Sequence, residues 1–307
     1  MKAAFLPDRG VVKVVGDGVR PFLNGLVTGD LLNLKNGKAR YCALLTPQGK
    51  IIADFLAAEA PAKSGGGFFL DAPRVRIPAL IEKLNLYKLR AKVIIEDLSE
   101  ILGVLAAWDG AAPPSPAAPA TAAKEAIGLS FIDPRLPALG LRVILPPHRA
   151  ASAAAELGAV LVDAADYEAH RIALGIPSGG PDFTYGDAFP HEADMDQLAG
   201  VDFAKGCYVG QEVVSRMEHR GTARTRAVPL RFDGAAPQPG AAVVAGERQL
   251  GHMGSAAAGR AIALLRLDRV ADALAHGEAL TAGGTAVRLV KPDWARFVFP
   301  GESKAAG

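Results

Sequence analysis

Apolar positions along the first hundred residues fall in short runs parted by turn chemistry, some with the two-residue period of a strand and some with the 3.6-residue period of a helix. Residues 10–15 read as a strand and Gly16-Asp17-Gly18 as a turn. Phe22, Leu23 and Leu26 then give 19–26 helical spacing. Residues 41–45 and 51–57 read as a hairpin, because Thr46-Pro47-Gln48-Gly49 puts Pro and Gly where a tight reversal wants them. Residues 65–70 form a further strand, and 78–86 a helix feeding the strand 91–96. Strands and helices mix without the strict alternation of a parallel sheet, which predicts an α+β arrangement.

From 111 to 123 the chain is Ala, Pro, Thr and Ser alone, a composition that cannot build a core and reads as a mobile insertion. After it come a strand at 141–145, a helix at 150–157, and a helix opened by Asp163, with Asp166 three places on in capping-box fashion. Gly175 and Pro177 end that helix. Arg171 lies in its last turn, where a cation complements the helix dipole. Beyond Arg220, runs at 227–232, 241–245, 249–253, 261–267 and 285–290, several parted by glycine turns, predict a small antiparallel barrel. The expected division is 1–222, two intertwined α+β modules, and 223–307, the barrel.

Composition narrows the function. The 307 residues carry a formal charge of +2, so nothing global points to nucleic acid or a membrane surface. No run approaches the roughly 18 apolar residues of a membrane helix. The amino terminus lacks the pattern of a secretory signal, so a cytoplasmic location is expected. The two cysteines, Cys42 and Cys207, form no CxxC pair, and no His/Cys cluster has metal spacing, so no metal site is expected.

The most informative segment is Lys205-Gly206-Cys207-Tyr208-Val209-Gly210-Gln211-Glu212. Gly206 and Gly210 permit a shaped, exposed turn around the thiol. Lys205 would favour the Cys207 thiolate, and the predicted helix 211–217 starts just beyond it. On residue types alone, a glycine-bounded loop with a buried free cysteine is the commoner case.

This octapeptide resembles the signature of the YgfZ family of tetrahydrofolate-binding proteins. FLNGLVTGDL at 22–31, LLTPQGKIIADFL at 44–56, RIALGIP at 171–177, MDQLAGVDFAKGCYVGQEVVSRMEHRG at 195–221 and GHMGSAAAGRAIALLRLDR at 251–269 follow in that family's order. The resemblance implies two α+β modules and a carboxy-terminal barrel around a bound folate, and a part in assembly or repair of iron–sulfur enzymes, with iron–sulfur proteins or assembly factors as partners. A pterin edge wants a carboxylate, for which Asp54, Glu192 and Glu212 are candidates. The anionic glutamate tail wants Arg171, Lys205, Arg216, Arg220 or Arg224. Gly206, Tyr208, Gly210 and Gln211 complete the expected folate-binding set, with Cys207 and Asp54 as the working groups.

Related aminomethyltransferases carry paired aspartates where this chain has Ala53-Asp54, and a glutamate where it has Ala173. Three functions therefore stand open: a folate-dependent accessory factor acting through Cys207, an aminomethyltransferase or demethylase resting on Asp54, and a scaffold that has kept the fold without the ligand.

Overall fold

The computed structural model describes residues 1–35, 37–109, 128–221 and 223–301; the Ala/Pro tract 111–123 lies outside them. The chain divides into two compact units. One comprises Met1–Tyr167 and Leu198–Gln211, the other Glu168–Gln197 and Glu212–Gly307. Residues 168–197, which the sequence places with the amino-terminal region, thus pack with the barrel.

The first unit holds two five-stranded sheets. One contains β2 (Arg9–Gly16), β3 (Ala39–Leu45), β4 (Ile51–Glu59), β5 (Phe68–Pro73) and β6 (Val93–Asp97), in the order β3-β4-β5-β2-β6. Its strands are antiparallel, and β3 and β4 are the predicted hairpin, closed by the 46–49 turn with Gly49 at φ +82°. Short α1 (Val19–Asn24) and twelve-residue α2 (Ile77–Lys88) bury Leu23, Ile77, Leu80 and Leu84 in a core with Val27, Leu31, Phe55 and Leu70. The strand predicted at 65–70 starts later, at Phe68, because Gly65, Gly66 and Gly67 all take positive φ and form the turn before it.

The other sheet consists of β1 (Lys2–Leu6), β7 (Gly103–Trp108), β8 (Leu129–Ile132), β9 (Leu141–Leu145) and β10 (Val160–Leu161), in the order β10-β1-β7-β9-β8. Only β1 and β10 pair in parallel. α3 (Ala150–Glu156) covers it with Ala150, Ala153 and Ala154.

The two sheets share a buried ionic network. Arg9 donates to Asp71 at 2.6 Å; Arg142 reaches Asp71 at 3.4 Å, Asp133 at 3.1 Å and the Tyr167 hydroxyl at 3.1 Å; Arg135 donates to both oxygens of Asp133 at 3.0 and 2.8 Å. Burial alone would raise the Asp133 carboxyl, but Arg135 and Arg142 outweigh it and hold the group at about 2.

In the second unit six antiparallel strands close into the predicted barrel: β11 (Thr225–Phe232), β12 (Ala242–Ala245), β13 (Arg248–Ala257), β14 (Arg260–Arg266), β15 (Leu280–Ala282) and β16 (Thr285–Leu289), with β11 pairing both β14 and β16. Val228, Leu230, Val243, Leu250, Leu265 and Val287 fill it.

The Asp133 linkage has a definite sign. A carboxyl held below its ordinary value stabilises the fold above that value and loses this contribution as pH falls through the folded one. Asp133→Asn should cost roughly 3–5 kcal/mol at neutral pH, since it leaves a buried guanidinium short of its partner. It should also flatten the fall in stability between about pH 4 and pH 2. Urea unfolding across that range checks both; an unchanged pH slope would refute the network's role.

Candidate functional site

The signature octapeptide lies at the end of the first unit, and its lysine is its anchor. The Lys205 ammonium donates to three backbone carbonyls, those of Asn24 at 2.7 Å, Val27 at 2.6 Å and Gly29 at 3.0 Å. These belong to the last residue of α1 and the loop following it, whose carbonyls lack helical partners, so an ammonium with three protons matches the need. The same loop is tied twice more: the Thr28 hydroxyl donates to the Gly200 carbonyl at 2.6 Å, and the Asp202 N–H to the Thr28 carbonyl at 2.9 Å. Asp202 Oδ1 then accepts the N–H groups of Ala204 and Lys205 at 3.0 and 3.1 Å. Burial lowers the Lys205 pKa, with Cys42, Asp30 and Asp202 opposing.

This corrects the expected role of Lys205. Its three protons are spent on carbonyls, so it serves as a post for the loop rather than as an activator of Cys207 or a clamp on a folate tail.

On the other side of the thiol, Tyr208 is buried, with the Lys205 ammonium 5.3 Å from its ring centroid. Burial pushes the Tyr208 hydroxyl up to about 12, and that hydroxyl is buried without a hydrogen-bond partner among the described residues. Gly210 has φ +82°, and a Cβ there would lie 2.6 Å from the Thr46 carbonyl oxygen, so only glycine lets the loop close on the 46–49 turn. Gln211 opens α5 (Gln211–Arg220), where its Oε1 accepts the Tyr208 N–H at 3.3 Å. Gly206, by contrast, has open space around it. Between these anchors Cys207 is exposed, which answers the commoner expectation of a buried thiol. Cys42 is the buried one; burial pushes it up to about 12 against the lowering influence of Lys205.

Asp54 is buried on β4, diagonal to Tyr41 across the hairpin, and accepts the Tyr41 hydroxyl at 3.0 Å. It neighbours Arg9 electrostatically, so it belongs to the edge of the ionic network.

The second unit accounts for most of the other predicted residues, each by a structural partner. Arg171 lies on α4 (Ala164–Ala173), which Asp163 caps through the Ala165 N–H at 2.8 Å. The predicted capping partner Asp166 is instead paired with Lys2. All five donors of Arg171 are occupied: Glu168 takes two, and the Ile176 carbonyl, Asp182 at 2.8 Å and the Ser255 hydroxyl at 2.8 Å take the rest. Asp182 in turn accepts from the Ser178 N–H, the Ser255 N–H and the Ser255 hydroxyl. Arg171 therefore binds its helix to barrel strand β13 and has no donor for a folate tail. Glu192 accepts the Phe189 N–H at 2.8 Å, closing its own turn. Glu212 and Arg216, assigned to opposite ends of a folate, pair with each other at 2.5 Å one helical turn apart. Arg220 and Arg224 are exposed.

The sequence missed a second arginine hub. Arg226, on β11, donates to the His191 carbonyl at 2.9 Å, to Asp194 at 2.9 Å and to both oxygens of Asp196 at 2.9 and 2.8 Å, with its guanidinium 4.5 Å from the Phe297 ring centroid. Burial pushes the Asp194 carboxyl well above the usual range even so.

The fold is that of the aminomethyltransferases. The glycine cleavage system aminomethyltransferase T of Bartonella henselae superposes with a TM-score of 0.72 over 97% of this chain and 87% of that one, at 17% identity. Residues 224–297 match the CAF17 C-terminal beta-barrel domain. A mouse protein, "Iron-sulfur cluster assembly factor IBA57, mitochondrial", is 32% identical over 94% of this chain and 84% of its own length. A Mycosarcoma maydis homologue of the same name is 38% identical over 79% of this chain, which spans only 60% of that protein. The chain belongs to the IBA57 family, within the broader YgfZ group to which the octapeptide pointed. These relatives overturn the expected cytoplasmic location, since the fungal and mammalian proteins are named as mitochondrial.

The contrast between the two thiols is directly measurable. In the native protein at pH 8, Cys207 should alkylate at least ~100-fold faster than Cys42, whose thiolate is scarce and covered. Mass spectrometry of partially labelled protein would show it, and faster labelling of Cys42 would overturn the geometry drawn here.

Proposed function

We propose that this chain supports iron–sulfur cluster assembly, as its relatives' names state of them, and that Cys207 is its working group. The observation that carries the reading is the exposed thiol on a loop fastened on both sides, by Lys205 before it and by Tyr208 and Gly210 after it. A pinned backbone lowers the entropy lost when the thiol engages iron or another thiol. With Cys42 buried, the chain offers one accessible thiolate, and clusters are usually held by four. The remaining ligands come from a partner, so Cys207 acts on a cluster in transit between proteins.

Folate binding is the finer reading. Its support is the likeness to aminomethyltransferases and the Tyr208 hydroxyl, a buried polar atom with no partner among the described residues. Three of the residues suited to the glutamate tail do not fit, because Arg171 and Lys205 are fully engaged and Arg216 is paired. In the first unit, Asp54 and Tyr208 are left to meet the pterin. Aminomethyl transfer resting on Asp54 is the weaker alternative, since Ala53 and Ala173 offer no polar atom and Asp54 is tied to Tyr41.

Two measurements separate these readings. In a strain lacking the endogenous protein, Cys207→Ser should fail to restore [4Fe–4S] enzyme activity while the variant accumulates folded; full complementation would refute the role of the thiol. Tetrahydrofolate at millimolar concentration should raise the melting temperature, and less so for Tyr208→Phe. No shift would end the folate reading and leave the thiol reading standing, whereas turnover of a methylamine donor would favour the enzyme.

A further inference from the structure

We propose that His191, Asp196 and Glu218, in the barrel unit, form a binding site for a divalent first-row transition metal. One ligand atom from each lies within 4.8 Å of the other two, and His191 Nε2 stands 3.0 Å from Glu218 Oε2. Metal bonds of about 2.0–2.2 Å set neighbouring donors about 3.0–3.5 Å apart, so the cluster needs only a small adjustment to close on an ion. His191 and Asp196 are buried, while Glu218, on α5, is 43% exposed and leaves an entry path.

The free valences agree with this. A carboxylate offers about four lone-pair positions. On Asp196 three are taken, by Nη1 and Nη2 of Arg226 and by the Gln197 amide at 2.6 Å, which leaves one on Oδ1. Beside it Asp194, whose side chain is fully buried, shares the same Arg226 Nη1 through one oxygen, and its other oxygen has no partner among the described residues. One guanidinium thus serves two carboxylates, Asp194 and Asp196. A buried carboxylate without full compensation is costly, and a dication supplies what Arg226 alone does not.

The donor set points to the class of ion. One imidazole nitrogen with two carboxylates suits Zn2+, Mn2+ or Fe2+, whereas Mg2+ and Ca2+ prefer oxygen alone. The site involves neither cysteine, so it is independent of the cluster chemistry assigned to Cys207. It was invisible in the sequence because Glu218 lies 27 positions from His191, with no metal-type spacing among the three.

The test uses the full chain carrying Cys207→Ser, so that the exposed thiol takes no ion. After chelation, the protein is titrated with Zn2+ alone and Mn2+ alone by calorimetry, and retained metal is counted after gel filtration. One equivalent of at least one ion should be retained, with a raised melting temperature. Glu218→Gln, on an exposed helix face where folding is not threatened, should weaken binding at least ~10-fold, and His191→Gln more. Circular dichroism confirms that each variant is folded. Two results would overturn the proposal: no retention of either ion, or retention unchanged in Glu218→Gln.

Discussion

One ammonium group on three carbonyls organises the working end of the first unit. After α1 the chain turns through Asn24, Val27 and Gly29 without helical partners for their carbonyls, and Lys205 closes all three from 176 or more positions away in sequence. Leaving a buried carbonyl unsatisfied costs about 1–3 kcal/mol, so these bonds couple the segment 200–211 to the segment 24–29. Thr28 and Asp202 repeat the link through hydrogen bonds of their own. Gly210 then brings the end of the octapeptide onto the 46–49 turn. Three motifs distant along the chain are thereby one assembly, and its product is an exposed Cys207.

The same economy governs the arginines. A guanidinium taken out of water needs its donors met; all five of Arg171 are engaged, and Arg142 and Arg226 bond carboxylates, a hydroxyl and a carbonyl of their own unit. Cations that look suited to an anionic ligand are therefore consumed by the fold. Among the described residues, the exposed thiol, the Tyr208 hydroxyl without a hydrogen-bond partner and the half-satisfied Asp194 are groups left over, and function is sought where such groups stand.

Periodicity and turn chemistry made much of the fold legible. The 41–45 and 51–57 hairpin, the helix at 78–86 and most barrel strands stand where the sequence puts them, because Gly and Pro mark their ends. β7 was missed: all six residues of Gly103–Trp108 are buried, so no alternation marks the run as a strand. The helix Leu267–Ala275 was also missed, although Leu267, Val270 and Leu274 recur at helical spacing on its packed face. At the site, residue type pointed to Cys207, which the structure leaves exposed, while Lys205, Arg171, Glu212 and Arg216 already have partners within the fold. Type tells what a side chain can bind, and only the folded contacts tell whether something has already bound it.

The central claim is that Lys205 holds the Cys207 loop by the carbonyls after α1. Hydrogen–deuterium exchange on Lys205→Met measures it directly. The account predicts faster exchange confined to residues 24–29 and 200–211, with the barrel strands protected as in the parent protein. Exchange unchanged in those two segments would contradict it.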